Sequence, residues 1–124
     1  MVTTRALFRL RLRDQSIADE ALAGHAEAYR RLGTAVLEAL LLKGALGMTD
    51  ESISHLEGLG YARDAVDALA RVLGGEADAA FLLAPAPVAQ IREVAAAGEN
   101  MPPKSTYFFP KVLTGLVFNP LDED

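Results

Sequence analysis

A proline-rich segment near the C-terminus combines residue types that bind anions with residue types that anchor a loop. Lysines and hydroxyls offer charge and hydrogen-bond donors to an anion, and between Gly98 and Lys111 these residues are Lys104, Ser105, Thr106 and Lys111. Three consecutive rings follow the hydroxyls, Tyr107, Phe108 and Phe109. Because large rings are mostly buried in folded proteins, we expect them to anchor the loop while the four polar residues face an anion. The alternative is a loop that packs on the fold, with its lysines in solvent and no ligand.

The same segment comes within one residue of a phosphate-binding P-loop. Residues 98–105 read G-x-x-x-x-P-K-S, with proline in place of the second glycine. Pro102 and Pro103 lack the backbone N–H groups with which a P-loop holds phosphate. The segment also follows a helical pattern, whereas a P-loop follows a strand. These features exclude a P-loop and leave a looser anion site.

Length, composition and charge limit the class of protein. The chain has 124 residues, 51% of them hydrophobic, which predicts one globular domain over 1–124. A net charge of −5 argues against a nucleic-acid partner. There is no cysteine, and His25 and His55 are not at metal-binding spacing, so we expect no metal site. The sequence has no apolar run of membrane-spanning length and no signal-peptide pattern. It therefore predicts a cytoplasmic protein without a membrane partner.

Hydrophobic periodicity predicts a mixed fold. Alternation indicates a half-buried strand at 4–13, and a nearly continuous apolar run indicates a central strand at 77–83. A last strand is predicted at 114–119, and a short strand at 52–57 has poor alternation. Helical spacing covers 17–46, divided near Gly33, then 62–73, and a stretch from Pro87 to Gly98. The predicted fold class is therefore α/β or α+β, with a single small sheet of three to five strands and three to four helices packed on it.

Two of these elements carry faces that need partners. The predicted helix 62–73 has an apolar stripe expected to be buried, formed by Ala62, Val66, Leu69, Ala70 and Leu73. On the other side, Asp64 and Asp67 are placed to pair with Arg63 and Arg71. The predicted first strand has a very basic outer face, formed by Arg5, Arg9, Arg11 and Arg13.

Three interpretations of that arginine face stay open, because like charges on one strand repel each other unless something compensates them. The face could bind phosphate or another anion. It could be crossed by carboxylates from a neighbouring strand or from the acidic tail. It could also be covered by an upstream domain or by a second copy of the chain. A different carboxylate, Glu99, lies next to the proline-rich loop and is the one that could act as a base.

The segment GENMPPKSTYFFPKVLTGLVFNP resembles the C-terminal signature of an uncharacterised prokaryotic family, the domain-of-unknown-function family numbered one thousand and fifteen, whose members end in an MPxKSTYFxPK-type motif. Upstream, GEADAAFLLAPAPVAQIREVAAAGE and LEALLLKGALGM are similar to two further family segments. The resemblance covers roughly 36–120. Gly33-Thr34 and Glu38 depart from the family pattern, which has an Asp-aliphatic pair and a common histidine there.

The resemblance implies that the chain corresponds to the C-terminal portion of a longer architecture, either as a fragment or as a short homologue without the other domain. A DGHHR-like stretch of the upstream part, similar to one in nucleotide-binding folds, is absent here. It follows that ATP or phosphate would be bound chiefly by the upstream domain. The full family would then be a nucleotide-dependent small-molecule kinase, and the isolated chain would be inactive. The alternative is a structural or oligomerisation domain without a ligand.

Overall fold

The computed structural model describes residues 1–106. The predicted strand at 114–119, the rings Tyr107, Phe108 and Phe109, and Lys111 lie outside the described residues. Two short strands are present, β1 (Val2–Thr3) and β2 (Ala79–Ala80). The α-helices are α1 (Gln15–Ala21), α2 (Glu27–Arg30), α3 (Gly33–Val36), α4 (Asp50–Ser54), α5 (Ala65–Leu73) and α6 (Val88–Ala96), and a π-helix (Leu37–Ala45) continues α3.

The predicted sheet of three to five strands is wrong for the described part of the chain. Helices make up 44% of it, and its sheet has two strands, β1 and β2, which pair antiparallel with Val2 opposite Ala80 and Thr3 opposite Ala79. The predicted central strand at 77–83 is reduced to β2, and Leu82 and Leu83 beyond it are exposed. The coarse class, helices with a small amount of sheet, is α+β.

The predicted strand at 4–13 is also wrong. The chain instead turns back on itself directly after β1, where the backbone N–H of Thr3 bonds the carbonyl of Ala6 at 3.0 Å and that of Phe8 bonds the carbonyl of Met1 at 2.8 Å. A single bridge joins Val2 to Leu7. Beyond it the alternating residues continue without a neighbouring strand in the described structure, so the alternation does not produce a ladder.

The long helical stretch is broken into several helices. Asp14 starts α1 by accepting the N–H of Ser16, and the stretch ends with the π-helix at Ala45, one residue before the predicted end at 46. In a π-helix the backbone N–H bonds the carbonyl five residues earlier, which brings positions i and i+5 together. Accordingly the Lys43 ammonium lies 2.9 Å from Glu38, and it also reaches Asp50 of α4 at 2.5 Å. This cation ties the π-helix to α4.

The predicted short strand at 52–57 is replaced by α4 and the turn that follows it. Thr49 accepts the N–H of Ser52 at 3.1 Å, and the Ser52 hydroxyl oxygen accepts the N–H of Thr49 at 3.0 Å. This reciprocal pair is a capping box, which satisfies two backbone donors at the helix start. The local hydrogen bonds of Thr49 and Ser52 therefore favour a helix over the poor alternation.

Helix α5 forms where helical spacing predicts it, but it buries a different face. Asp64 caps its first turn by accepting the N–H of Asp67, and Arg71 pairs with Asp67 at 3.0 Å as expected. The helix contacts both strands, and its buried residues are Ala68 and Val72. The predicted core stripe is exposed, with Val66 77% accessible to solvent. The face of α5 that carries Ala68 and Val72 is therefore the buried one, and the predicted stripe faces away from the core.

The other part of the core joins α6 to the helices around 32–36. Leu32, Ala35 and Val94 form a fully buried cluster, and Leu22, Ala28, Tyr29 and Met101 pack around it. Val94 is the buried residue of α6, while its apolar residues Val88 and Ala95 are exposed. No helix within residues 1–106 has the length and apolarity needed to cross a bilayer.

Two valines of α5 test which face of the helix is buried. Val72→Ala removes two methyl groups from a site with no solvent exposure, and we expect it to lower the free energy of unfolding by about 1.5–3 kcal/mol. Val66→Ala is the matched control, expected to be neutral or slightly stabilising since alanine favours helices. Urea denaturation measures both. A larger loss for Val66→Ala would contradict the observed orientation of α5.

Candidate anion-facing loop

The end of α6 determines where the proline-rich loop begins. The N–H of Gly98 bonds the carbonyl of Ala95 at 3.0 Å, and the N–H of Glu99 bonds the carbonyl of Val94 at 3.2 Å. This pair of bonds is a Schellman motif, which requires a left-handed residue after the helix. Gly98 takes that role with φ of +75°, and glycine has no Cβ to oppose it. The chain therefore leaves α6 sharply, as helix periodicity predicts.

Glu99 then fastens the loop to the start of α2. One carboxylate oxygen lies 2.7 Å from Nδ1 of His25, and the other accepts the backbone N–H of Ala26. Ala26 precedes the first residue of α2 and has no side chain that could cap the helix. The contact joins residues 74 positions apart in the chain. It makes Glu99 a structural anchor for the loop.

These contacts determine the proton arrangement at the anchor. The hydrogen bond from the Ala26 N–H lowers the pKa of Glu99 most, and the hydrogen bond from His25 lowers it further, against an opposing effect of burial. Glu99 is therefore an ionised acceptor at neutral pH, so His25 donates through Nδ1. The carboxylate thereby holds the imidazole in one orientation.

Tyr29 supports the imidazole from the other side and connects it to the core. Its ring stacks on His25 with centroids 4.1 Å apart and planes 14° from parallel. Tyr29 also packs against the Leu32–Ala35–Val94 cluster. Partial burial raises the pKa of Tyr29, with smaller contributions from Glu38 and Glu99. The phenol is therefore neutral and serves as a packing surface.

The first half of the loop is held against this anchor. Met101 packs on the core cluster and Pro102 is buried. The backbone N–H of Ser105 bonds the carbonyl of Pro102 at 3.3 Å, closing a four-residue turn. Since proline fixes a negative φ at position 103 and Lys104 has φ of +58°, the turn is of type II. Glycine or asparagine normally occupies the position of Lys104.

The predicted polar residues differ in their availability to a ligand. Lys104 and Thr106 are exposed. Ser105 is half-buried, and its hydroxyl donates to the Pro102 carbonyl, so it closes the turn and cannot donate the same proton to an anion. Lys111 and the predicted anchoring rings lie outside the described residues. Lys104 is therefore the described cation of the candidate site, and Thr106 is its hydroxyl donor.

Other surface features near the loop do not add an anion site. A shallow open depression beside α2 is lined by Glu27, Ala28, Arg31 and Glu93. Its cation, Arg31, already lies 2.5 Å from Glu27, so the depression offers no uncompensated positive charge. Within residues 1–106 no three His, Asp or Glu side chains lie together in a way that could hold a metal ion.

Sequence reasoning identified Glu99 as a carboxylate beside the loop but missed its partners. His25 and Tyr29 stand four positions apart, the spacing that places two side chains on one helical face, and this was the available signal. The sequence also contained a signal for the turn between Pro102 and Ser105, because proline at the second position of a turn, here Pro103, favours types I and II. Neither pattern shows that Glu99 contacts His25.

No protein-family model, curated protein or solved structure matches the chain. The resemblance of the MPPKSTYFFPK segment to the domain-of-unknown-function family thus rests on its own residues.

Gly98→Ala tests the importance of the left-handed helix end. An added Cβ would meet no atom within 4 Å, so the cost is conformational, about 1–2 kcal/mol in the free energy of unfolding. Gly24→Ala is the control, since it also has open space and its φ is not in the left-handed region. Thermal and urea unfolding measure the two. Equal effects would show that the Schellman turn does not hold the loop.

Glu99→Gln tests the carboxylate anchor through its pH dependence. Because the folded pKa of Glu99 is lowered, the anchor stabilises the protein above the ordinary value of 4.5 and is lost as pH falls through the folded pKa. We expect wild type to be more stable than Glu99→Gln near pH 7, with the difference shrinking below pH ~4.5. Glu57→Gln, at an exposed carboxylate, is the control. A pH-independent difference would contradict the charged anchor.

Proposed function

We propose that the chain is an accessory module that presents an anion-facing loop, centred on Lys104, to a phosphate or nucleotide held chiefly by an upstream domain. The observation that carries the proposal is the backbone of Lys104. A lysine at φ of +58° costs about 1 kcal/mol more than a glycine would. Strained residues of this kind concentrate at functional sites, where the surrounding structure holds them in place.

The surroundings of Lys104 supply that support. Glu99, Met101 and Pro102 attach the preceding residues to α2 and to the core, and Ser105 closes the turn after it. The ammonium is thus carried by a backbone that is already ordered, which reduces the entropy lost on binding. Phosphate is the natural anion for such a group, since charge-assisted hydrogen bonds to its oxygens are stronger than neutral ones.

The dependence on another domain comes from the family resemblance. The described part of the loop offers one lysine and one exposed hydroxyl, which are too few to hold a nucleotide tightly. We therefore expect the chain alone to bind phosphate and ATP weakly and to have no catalytic activity. Phosphoryl transfer to a small hydroxyl substrate would need the complete architecture. In that setting the loop would neutralise charge on the phosphates.

A Lys104 series tests the proposal by separating strain from charge. Lys104→Gly should stabilise the fold by about 1 kcal/mol, because it relieves the left-handed strain. It should also weaken phosphate and ATP binding by about 10- to 150-fold, since a charged hydrogen bond contributes about 1.5–3 kcal/mol. Lys104→Arg should retain binding. Arg92→Ala, which removes an exposed positive charge on α6, is the control.

Titration followed by amide NMR shifts, with phosphate, ATP and adenosine as separate probes, measures the binding. Adenosine should give no shifts at the loop, because the proposal assigns Lys104 to phosphate. Binding that is unchanged in Lys104→Gly, or no shifts with any probe, would refute the proposal. That result would favour the alternative, a structural or oligomerisation domain whose loop only completes the fold.

A further inference from the structure

The N-terminal residues 5–13, which we call the arm, carry a hydrophobic pattern that the described fold does not use. Alternation predicts a strand with one covered side, yet Phe8 and Leu10 of that side are 47% and 49% exposed, and Leu7 between the arginines is 77% exposed. Isolated exposed apolar residues are common, but three within four positions are a local concentration of apolar surface. The pattern therefore indicates a surface that is covered by something outside residues 1–106.

The arm also carries uncompensated charge. All four of its arginines are exposed, and none forms an ion pair with a carboxylate of residues 1–106: Arg5, Arg9, Arg11 and Arg13. Every other described arginine except Arg92 has an acidic partner within 4 Å. Because the arm contributes +4 to a net charge of −5, the rest of the chain carries −9. Positive charge is thus concentrated where no carboxylate of residues 1–106 meets it.

The backbone of the arm is free to pair. Phe8 exchanges hydrogen bonds with Met1, and after it residues 9–13 make no backbone–backbone hydrogen bond within the described chain. A segment with unpaired N–H and C=O groups can add a strand when it takes up an extended conformation. Here it would continue the two-stranded sheet, because the bridge between Val2 and Leu7 already places the arm next to β1.

We propose that the arm is a docking strand for another protein, and that its partner is an extended segment in which carboxylates alternate with apolar side chains. Backbone pairing would extend the sheet, the carboxylates would meet Arg9, Arg11 and Arg13, and apolar residues would cover Phe8 and Leu10. Arginine and aromatic residues are enriched in protein interfaces. A nucleic acid is disfavoured because the rest of the chain carries −9 and would repel phosphates.

A nine-residue peptide alternating glutamate and valine is the probe, added to the full chain and followed by amide NMR. We expect shifts in residues 7–13 and slower hydrogen exchange at the amides of 9–13, which charge attraction alone would not produce. The combined change Arg9→Gln, Arg11→Gln and Arg13→Gln should weaken binding at least tenfold. A control variant with Arg31→Gln, Arg63→Gln and Arg92→Gln removes the same amount of charge elsewhere on the chain. It should change the affinity for the peptide less than twofold.

Several results would overturn the proposal. No binding, equal binding of a lysine–valine peptide, or unchanged exchange at 9–13 would each exclude an acidic docking strand. Tighter binding of single-stranded DNA would assign the arm to nucleic acid. Self-association in sedimentation experiments that the arm variant abolishes would assign it to a second copy. Binding gained only after Asp122, Glu123 and Asp124 are changed to amides would assign it to the chain's own C-terminus. The arm is exposed, so its variant should fold normally, which circular dichroism checks.

Discussion

The contact between the Glu99 carboxylate and the start of α2 is the interaction on which the described loop depends. It satisfies a backbone donor at Ala26, orients His25, and ties the end of α6 to a helix far away in the chain. Few side chains of residues 1–106 are buried near this contact, since the main buried cluster contains three residues. With so small a core within residues 1–106, one hydrogen-bonded carboxylate between distant segments fixes where the described part of the loop begins.

The same logic explains how the loop can hold a lysine in a conformation that suits glycine. Backbone strain of this kind persists only where neighbouring contacts outweigh it. The contacts here are of three kinds: the hydrogen bonds of the Glu99 carboxylate, apolar packing at Met101, and a hydrogen-bonded turn between Pro102 and Ser105. Because they act on successive residues, they leave the backbone few alternatives at Lys104.

Features set by neighbouring residues could be predicted from the sequence. The end of α5 at Leu73, the end of α6 shortly before Gly98 and the pairing of Asp67 with Arg71 follow from helix periodicity, glycine and i,i+4 spacing. The buried face of α5 could not, because apolar residues lie on more than one side of the helix and its contacts with the two strands bury Ala68 and Val72. The anchor at Glu99 is likewise a contact between residues far apart in the sequence. Local patterns identify the residues involved, but they do not show that these residues contact each other. The strand predicted at 4–13 does not form, because periodicity shows which side chains share a face but does not show whether a neighbouring strand is there to pair with.

The Schellman turn after α6 has a consequence for chain length. Each helical residue advances the chain by about 1.5 Å and rotates it by about 100°. Val94 is fixed in the core, so the number of residues between it and Glu99 sets the direction in which the carboxylate leaves the helix. One residue inserted or deleted there would turn Glu99 away from His25. The stretch can therefore vary in the identity of its exposed side chains but not in their number.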